Sequence, residues 1–264
     1  MSELCAPYMA MLRQCPGVHV RVFVNDVPMY DRAVMGYSTP TFPATPWLQA
    51  GENEIVIECR ESPKNPEMVL VPAHFQCKFI RQGALEADDK VVYFEEYPTF
   101  LPKLPEEERK LPCSIRGTFT AEGVIPKPIW ADSSPGPVPE RGSPELLKTV
   151  FGLHQAFAKR DGDALLELGS LKIEDLQRYF GKLPSTDVAS LRKENEEMFK
   201  EPWDVMPFRP EDLRFRSCAM GRVAYATSVD GGPALLARHK TDPGQVWAVR
   251  PLLLRQGADW RIFR

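Results

Sequence analysis

The sequence has no stretch that approaches the roughly 20 apolar residues of a membrane-spanning helix, and it begins without the features of a secretory signal. We therefore expect a soluble, cytoplasmic protein that does not enter a membrane. The chain also lacks the H-E-x-x-H motif of zinc hydrolases, the G-x-S-x-G motif of serine hydrolases and the glycine-rich loops that bind phosphate or dinucleotides. These absences predict a non-enzymatic protein without a cofactor.

Cysteine and histidine are too few and too scattered to indicate a metal site. The six cysteines contain no C-x-x-C pair, and the four histidines show no ligand spacing. We predict no bound metal. For a cytosolic chain of this size, buried free thiols are a better interpretation of the cysteines than disulfides, although their even number leaves both interpretations open.

Neither sign of charge is in large excess, but the charges are unevenly distributed. The formal net charge of -3 argues against non-specific binding of nucleic acid, which needs a basic surface. Residues 131–204 contain 10 basic and 14 acidic side chains, whereas residues 205–264 contain 10 basic and 5 acidic ones. The first of these segments is predicted to be helical and the second to be strands, so the helices are acidic and the strands basic.

A proline tract indicates a division of the chain into two domains. The chain of 264 residues is longer than most single domains, and its hydrophobic content of 43% and charged content of 26% are typical of globular proteins. Residues 131–143 are rich in Pro, Gly and Ser and have no apolar periodicity, which predicts a linker. We therefore predict one domain over residues 1–130 and a second over residues 144–264.

Before the linker, the side chains alternate with the period of β-strands. The valines at every second position from Val18 to Val24 predict a strand that ends in a turn at Asn25-Asp26. We predict a second turn at Gly51-Glu52-Asn53, followed by a strand with Ile55 and Ile57 on one face. Further strands are expected over residues 27–30, 68–80, 91–97, 111–119 and 127–130. Short strands at this spacing are typical of a β-sandwich.

The segments Val20-Arg-Val-Phe-Val-Asn-Asp-Val-Pro28 and Trp47-Leu-Gln-Ala-Gly-Glu-Asn-Glu-Ile-Val-Ile57 carry a family resemblance. They resemble the hairpin and the Gly-Glu-Asn element of galactose-binding-like jelly rolls. The resemblance implies an all-β, jelly-roll-like sandwich and, as one of three functional hypotheses, a carbohydrate-binding module. Trp47 would then be either a platform for a sugar ring or an aromatic residue that packs against the core.

After the linker, the apolar residues recur every three or four positions, as in helices. Ser143 and Pro144 are expected to begin a helix that Asp161-Gly162 ends, and Asp163 is expected to cap the next one. Further helices are predicted over residues 173–180 and 188–199. From residue 213 the period of strands returns, and strands are expected over residues 213–218, 222–229, 234–239, 246–254 and 260–263. This order predicts an α+β domain with helices on one face of a curved antiparallel sheet.

The segment His154-Gln-Ala-Phe-Ala-Lys-Arg-Asp-Gly-Asp-Ala-Leu-Leu-Glu-Leu168 is similar to the joint between the first two helices of the NTF2-like superfamily. Catalytic members of that superfamily place an Asp/His pair inside a cone-shaped cavity. The resemblance therefore implies an alternative function, a small-ligand-binding protein or an isomerase or hydrolase with His154, Tyr179 and Arg222 as lining residues. No aspartate is obviously paired with His154, which could equally be a hydrogen-bonded structural residue.

Our preferred hypothesis is a non-enzymatic, cytosolic protein that binds another protein. A chain without catalytic motifs resembles, in general type, the bacterial immunity proteins that neutralise secreted toxins. The toxin bound by this chain would be a nuclease or a nucleotide-consuming effector. Acidic side chains on the predicted helices and arginines on the predicted strands are the candidate binding residues. They are Glu194, Glu196, Glu197, Arg214 and Arg216. A charged face that only keeps the protein in solution is the alternative interpretation of both groups.

Overall fold

A computed structural model describes residues 7–34, 36–62, 72–83, 86–181, 183, 186–242 and 244–264. Contacts divide the chain into two compact units, Met1–Pro128 and Ile129–Arg264. Within the described residues there are four antiparallel sheets and four α-helices, which confirms the prediction of a chain that combines antiparallel sheets with helices. No helix in this part of the chain has both the length and the apolar character that a membrane span requires.

The first unit consists of two four-stranded sheets that enclose one hydrophobic core. One sheet has the strand order β4-β1-β6-β7 and the other the order β3-β2-β5-β8. All four valines predicted to alternate from Val18 to Val24 are buried in the core between the sheets. The strands are β1 (Tyr8–Gln14), β2 (Val18–Val24), β3 (Val27–Ala33), β4 (Thr41–Pro43), β5 (Gly51–Glu61), β6 (Phe75–Arg81), β7 (Lys90–Tyr97) and β8 (Cys113–Ala121).

The Gly-Glu-Asn element begins strand β5, so the prediction of a turn over these three residues is wrong. The Asn53 side chain is completely buried and organises the preceding corner through four hydrogen bonds. Its Oδ1 accepts from the Gln49 backbone at 2.9 Å and from Asn25 Nδ2 at 2.8 Å, and its Nδ2 donates to the carbonyls of Gln49 and Gly51. Asn25 lies in the β2–β3 turn, where Asn25 and Asp26 both have positive φ. Asn53 therefore links the corner before β5 to the predicted β2–β3 hairpin by hydrogen bonds.

Other details of the first unit differ from the sequence-based expectations. Strands β1 and β4 were not predicted. The prediction of a strand over residues 127–130 is wrong, because a 3-10 helix at Ile129–Asp132, where the second unit begins, buries Trp130. Of the strand expected over residues 68–80, residues 68–71 lie outside the described residues, and β6 begins at Phe75.

The second unit packs helices against antiparallel strands. Leu146, Val150 and Leu153 form a buried stripe on α1 that packs against a sheet of order β10-β11-β14-β15, and a second sheet has the order β13-β12-β9. The helices are α1 (Pro144–Ala158), α2 (Gly162–Leu168), α3 (Ser170–Phe180) and α4 (Val188–Lys200). The strands are β9 (Trp203–Val205), β10 (Leu213–Cys218), β11 (Val223–Ser228), β12 (Leu235–His239), β13 (Val246–Val249), β14 (Leu252–Gln256) and β15 (Asp259–Ile262).

The ends of several elements in this unit follow local chemistry. Ser143 caps α1 by accepting a hydrogen bond from the Leu146 backbone, as predicted. The cap of α2 is Asp161, which accepts from the Ala164 backbone at 2.9 Å, so the assignment of Asp163 as the cap is wrong. The single strand expected over residues 246–254 is two strands, β13 and β14, which belong to different sheets and are separated at Arg250-Pro251.

The proline tract expected to be a linker makes specific contacts with strands of the second unit. The Phe215 backbone donates to the Glu140 carbonyl at 2.7 Å, and Arg222 Nε donates to the Ser133 carbonyl at 2.9 Å. The Ser133 hydroxyl donates to the Arg255 carbonyl. These bonds hold residues 133–140 against the sheet of β10, β11, β14 and β15.

Candidate functional site

A cleft with a volume of about 410 Å³ lies between α2, α3 and α4, and we call it the helical cleft. Its apolar side chains are Leu166, Ile173 and Val188, one from each helix. The exposed carboxylates of Asp163, Glu167 and Glu174 line the same cleft. The described lining residues are Asp163, Leu166 and Glu167 from α2, Ser170, Ile173, Glu174 and Gln177 from α3, and Val188 and Arg192 from α4.

Short polar side chains fix where the helices around the cleft begin. The Asp161 carboxylate caps α2, and the Asp187 carboxylate caps α4 by accepting from the Ser190 backbone at 2.9 Å and from its hydroxyl at 3.0 Å. Between α3 and α4, Gln177 Nε2 donates to the Thr186 carbonyl at 2.7 Å. The buried Thr186 hydroxyl donates to the Gly181 carbonyl at 3.0 Å. These bonds position Gln177 and Val188 at the cleft.

A buried ion pair anchors α3, the central helix of the cleft. Asp175 is only 1% exposed, and its carboxylate accepts from Arg264 Nη2 at 2.5 Å and from Arg178 Nη1 at 3.5 Å. The neighbouring residues on α3, Glu174 and Ile173, line the cleft. The pair therefore holds α3 next to the residues that line the cleft.

An exposed ion pair crosses one end of the helical cleft. Asp163 on α2 and Arg192 on α4 are joined at 2.9 Å. Both residues also line a second, adjacent cleft of about 310 Å³, whose other lining residues are Arg160, Gly162, Glu196, Phe199 and Lys200. The Asp163–Arg192 pair thus stands between two cavities on the same helical surface.

The charges of the helical cleft are mainly negative. Asp163, Glu167 and Glu174 contribute three carboxylates, and Arg192 contributes the one cationic group among the described lining residues. We call Leu166, Ile173 and Val188 the apolar floor of the helical cleft and the three carboxylates its acidic rim. This combination is complementary to an amphipathic helix whose apolar face is bordered by lysine or arginine. Such an arrangement can bind a protein segment.

The predicted partner-binding residues occupy two different elements. Glu194, Glu196 and Glu197 lie on the exposed side of α4, and of these Glu196 lines the second cleft. A hydrogen bond from Lys200 lowers the pKa of Glu197. Arg214 and Arg216 lie on β10, where Arg214 NH1 donates to the carbonyls of Glu211 and Leu213. Of these five side chains, the structure places Glu196 in the second cleft and none in the helical cleft.

The three residues proposed for the alternative function also lie on different elements. His154 Nε2 donates to the Met206 carbonyl at 2.9 Å, and its ring packs against Phe151 and Phe208. Tyr179 is buried on α3, and Arg222 precedes β11 and bonds to Ser133. Because a carbonyl can only accept, His154 Nε2 carries a proton in this arrangement. None of the three lines the helical cleft or the adjacent one.

Trp47, the residue considered for a sugar platform, is half-buried and packed against the core of the first unit. Its indole Nε1 donates to the Pro28 carbonyl at 3.4 Å, and its ring meets Phe42 edge to face with centroids 6.3 Å apart. These contacts agree with the packing interpretation of Trp47.

Sequence analysis did not identify most of the residues that form the helical cleft. Asp163 was assigned to a cap, and Glu167, Glu174 and Arg192 were not selected. A clue was present on α3, where the buried stripe contains Leu171, Asp175 and Tyr179 and leaves Ile173 on another face. An apolar residue outside the buried stripe of an amphipathic helix indicates a second contact surface.

Within the ranges that the structure describes, no group of three or more His, Cys, Asp or Glu side chains is arranged to hold a metal ion. Comparisons of the chain with protein-family models, with curated proteins and with solved structures found no match. The function must therefore be inferred from the geometry of the chain itself.

Proposed function

We propose that the chain is a non-enzymatic protein that binds another protein, and that the helical cleft holds a basic amphipathic helix of that partner. The observation that carries the proposal is the combination of apolar Leu166, Ile173 and Val188 with the carboxylates of Asp163, Glu167 and Glu174 around one cleft. Apolar side chains of the bound helix would bury the apolar floor of the cleft, and this burial of apolar surface supplies affinity. The acidic rim would select a cationic partner and accelerate the encounter.

The partner class that we propose is a secreted bacterial toxin that acts in the cytoplasm, as the general resemblance to immunity proteins suggests. A toxin that acts on nucleic acid or nucleotides needs basic side chains to bind its anionic substrate. An acidic rim could engage these side chains in place of the substrate. Nucleic acid itself is disfavoured as a ligand of the cleft, because phosphates and the rim carboxylates repel one another.

We also propose that the first unit is a galactose-binding-like sandwich and that the second has an NTF2-like arrangement. Two antiparallel sheets around one core and the Asn53 corner support a galactose-binding-like sandwich for the first unit. The packing of α1 against the sheet of β10, β11, β14 and β15 supports an NTF2-like arrangement for the second.

Binding of a defined peptide tests the proposed use of the cleft. The probe is a fluorescent amphipathic helix with leucines on one face and lysines on the other, and fluorescence anisotropy measures its affinity for the full chain. We expect Glu167→Lys combined with Glu174→Lys to weaken binding strongly at low salt, and Ile173→Ser to weaken it at low and high salt alike. Increasing salt should reduce only the electrostatic part of the affinity.

The matched control is Glu194→Lys combined with Glu197→Lys, which makes the same change in net charge at two binding residues predicted from the sequence that lie outside the helical cleft. This control should retain most of the affinity for the peptide. Equal losses in the two double variants would show that the peptide senses only net charge, and the proposal would then be wrong. A peptide with glutamate in place of lysine should not bind.

A further inference from the structure

Two cysteines of the first unit lie directly opposite each other on neighbouring strands. Cys59 of β5 is paired with Cys113, the first residue of β8, at the end of the ladder between these strands. Opposed residues in antiparallel strands have Cα atoms roughly 4.5 to 5.5 Å apart, which lies within the range of about 4.4 to 6.8 Å that a disulfide can bridge. Both residues are free thiols in this structure. A bond between them would therefore require little movement of the backbone.

Both thiols also line a cleft of about 750 Å³, which we call the thiol cleft. Cys113 is 7% exposed and Cys59 is 1% exposed, so Cys113 is the more accessible of the two. Cys77 provides a contrast, because it is completely buried in the core of the same unit and is absent from the lining of the thiol cleft. The other lining residues are Glu58, Arg60, Glu61, Glu108, Leu111, Pro112 and Ser114.

The interaction between the two thiols gives them different reactivities. The Cys59 thiol donates a hydrogen bond to the Cys113 sulfur, which lowers the pKa of Cys113. The same hydrogen bond, together with burial, raises the pKa of Cys59. Since the thiolate is the nucleophile in disulfide exchange, Cys113 is suited to attack first and Cys59 to react second.

We propose that Cys59 and Cys113 form a thiol–disulfide exchange site that accepts a small disulfide bearing amino groups. The substrate class follows from the charges of the thiol cleft, which among its described lining residues are the three carboxylates of Glu58, Glu61 and Glu108 and the one guanidinium of Arg60. This excess of carboxylates favours a cationic disulfide over an anionic one.

The exchange takes place in two steps. The Cys113 thiolate attacks one sulfur of the disulfide, whose S–S bond breaks, and one small thiolate leaves while a mixed disulfide forms on Cys113. Cys59 then loses its proton and attacks the Cys113 sulfur, which releases the second small thiolate and joins Cys59 to Cys113. The two departing thiolates take up the two protons that the cysteines lose. The small disulfide is the oxidant and the protein dithiol is the reductant.

Incubation of the folded, full-length protein with cystamine tests the proposal, with peptide mapping by mass spectrometry as the measurement. We expect a disulfide between Cys59 and Cys113 in the wild-type protein. The Cys59→Ser variant should stop at a mixed disulfide on Cys113, and the Cys113→Ser variant should leave Cys59 reduced. Cys218→Ala, a change in the second unit, should leave the Cys59–Cys113 reaction unchanged.

The wild-type result is decisive even if a variant fails to fold. Cystamine treatment that leaves Cys59 and Cys113 reduced while it modifies other cysteines would overturn the proposal, as would a stable adduct that never resolves into the bridge. Dithiodiglycolate, an anionic disulfide of similar size, should react several-fold more slowly at low salt. Equal rates for the two reagents would refute the assigned substrate class.

Discussion

Asp163 and Arg192 face each other across one end of the helical cleft, with 2.9 Å between Oδ1 of the aspartate and NH2 of the arginine. Their side chains are 76% and 54% exposed, so water screens the pair and it contributes little to stability, about 0 to 1 kcal/mol. A ligand can therefore displace the arginine at low cost. The pair lines both the helical cleft and the cleft beside it and forms a weak ion pair between them.

The first prediction concerns this arginine. Arg192→Gln removes the cation among the described lining residues of the helical cleft and frees the Asp163 carboxylate to meet a cationic ligand. We expect tighter binding of the leucine–lysine peptide, by several-fold at low salt, and a free energy of unfolding within about 1 kcal/mol of wild type. Anisotropy titrations and urea unfolding check both values. Weaker peptide binding by Arg192→Gln would contradict the assignment of the acidic rim.

The second prediction concerns the buried carboxylate that anchors α3. Asp175→Asn removes the charged carboxylate that accepts from Arg264, whose side chain is 8% exposed, and so breaks this buried ion pair. Breaking a buried ion pair in this way typically costs about 3 to 5 kcal/mol. Urea unfolding should show such a loss. Lys200→Gln, which removes the exposed Lys200–Glu197 pair, is the control and should cost less than about 1 kcal/mol.

The third prediction tests the corner that Asn53 organises. Asn53→Ala removes a buried amide that accepts from the Gln49 backbone N–H and from Asn25 Nδ2, and Asn25 Nδ2 keeps only its longer bond to the Trp47 carbonyl at 3.3 Å. We expect a loss of at least about 2 kcal/mol in the free energy of unfolding, because buried donors without acceptors are costly. Gln49→Ala removes only an exposed side-chain bond to the Glu52 carbonyl and should change stability by less than about 0.5 kcal/mol. Similar losses in both variants would be evidence against this role of Asn53.

The fourth prediction concerns the pH dependence of stability. Hydrogen bonds from Gln76 at 2.7 Å and His74 at 2.6 Å hold the pKa of Glu96 below its ordinary value of 4.5. A carboxyl group whose pKa is lower in the folded state contributes stability above pH 4.5, and this contribution is lost as the pH falls through the folded-state value. Gln76→Ala should raise the pKa of Glu96 toward 4.5 in an NMR titration and reduce the loss of stability in acid. An unchanged titration curve would exclude Gln76 as the main cause.

The strands and helices with regular patterns could be predicted from the sequence. The valines from Val18 to Val24 favour a strand by both residue type and alternation, and Ser143 and Pro144 define the start of α1 by local capping. Strand β1 was missed because its outward side chains include Met9 and Met11, so the alternation of polar and apolar residues is hidden. Strand β9 has only three residues and gives no periodic pattern.

The helical cleft could not be predicted because its residues become neighbours only when three helices meet. Glu167 on α2 and Glu174 on α3 are unremarkable charged residues in the sequence, and Val188 is the first residue of α4. Their contact with one cleft depends on how α3 is rotated, and the buried side chains of α3, among them Asp175 in its pair with Arg264, face away from that cleft. A partner 89 residues away in the sequence leaves no local pattern.

Site-specific photo-crosslinking in living cells tests most directly whether the helical cleft binds a protein. A photoreactive amino acid at Ile173 should capture one protein through a segment that forms a basic amphipathic helix, and Glu167→Lys combined with Glu174→Lys should abolish this capture. The same photoreactive group at Glu194, on the exposed side of α4, should not capture that protein. Capture of the same protein with equal yield from both positions, or through an acidic segment, would contradict the proposed use of the cleft.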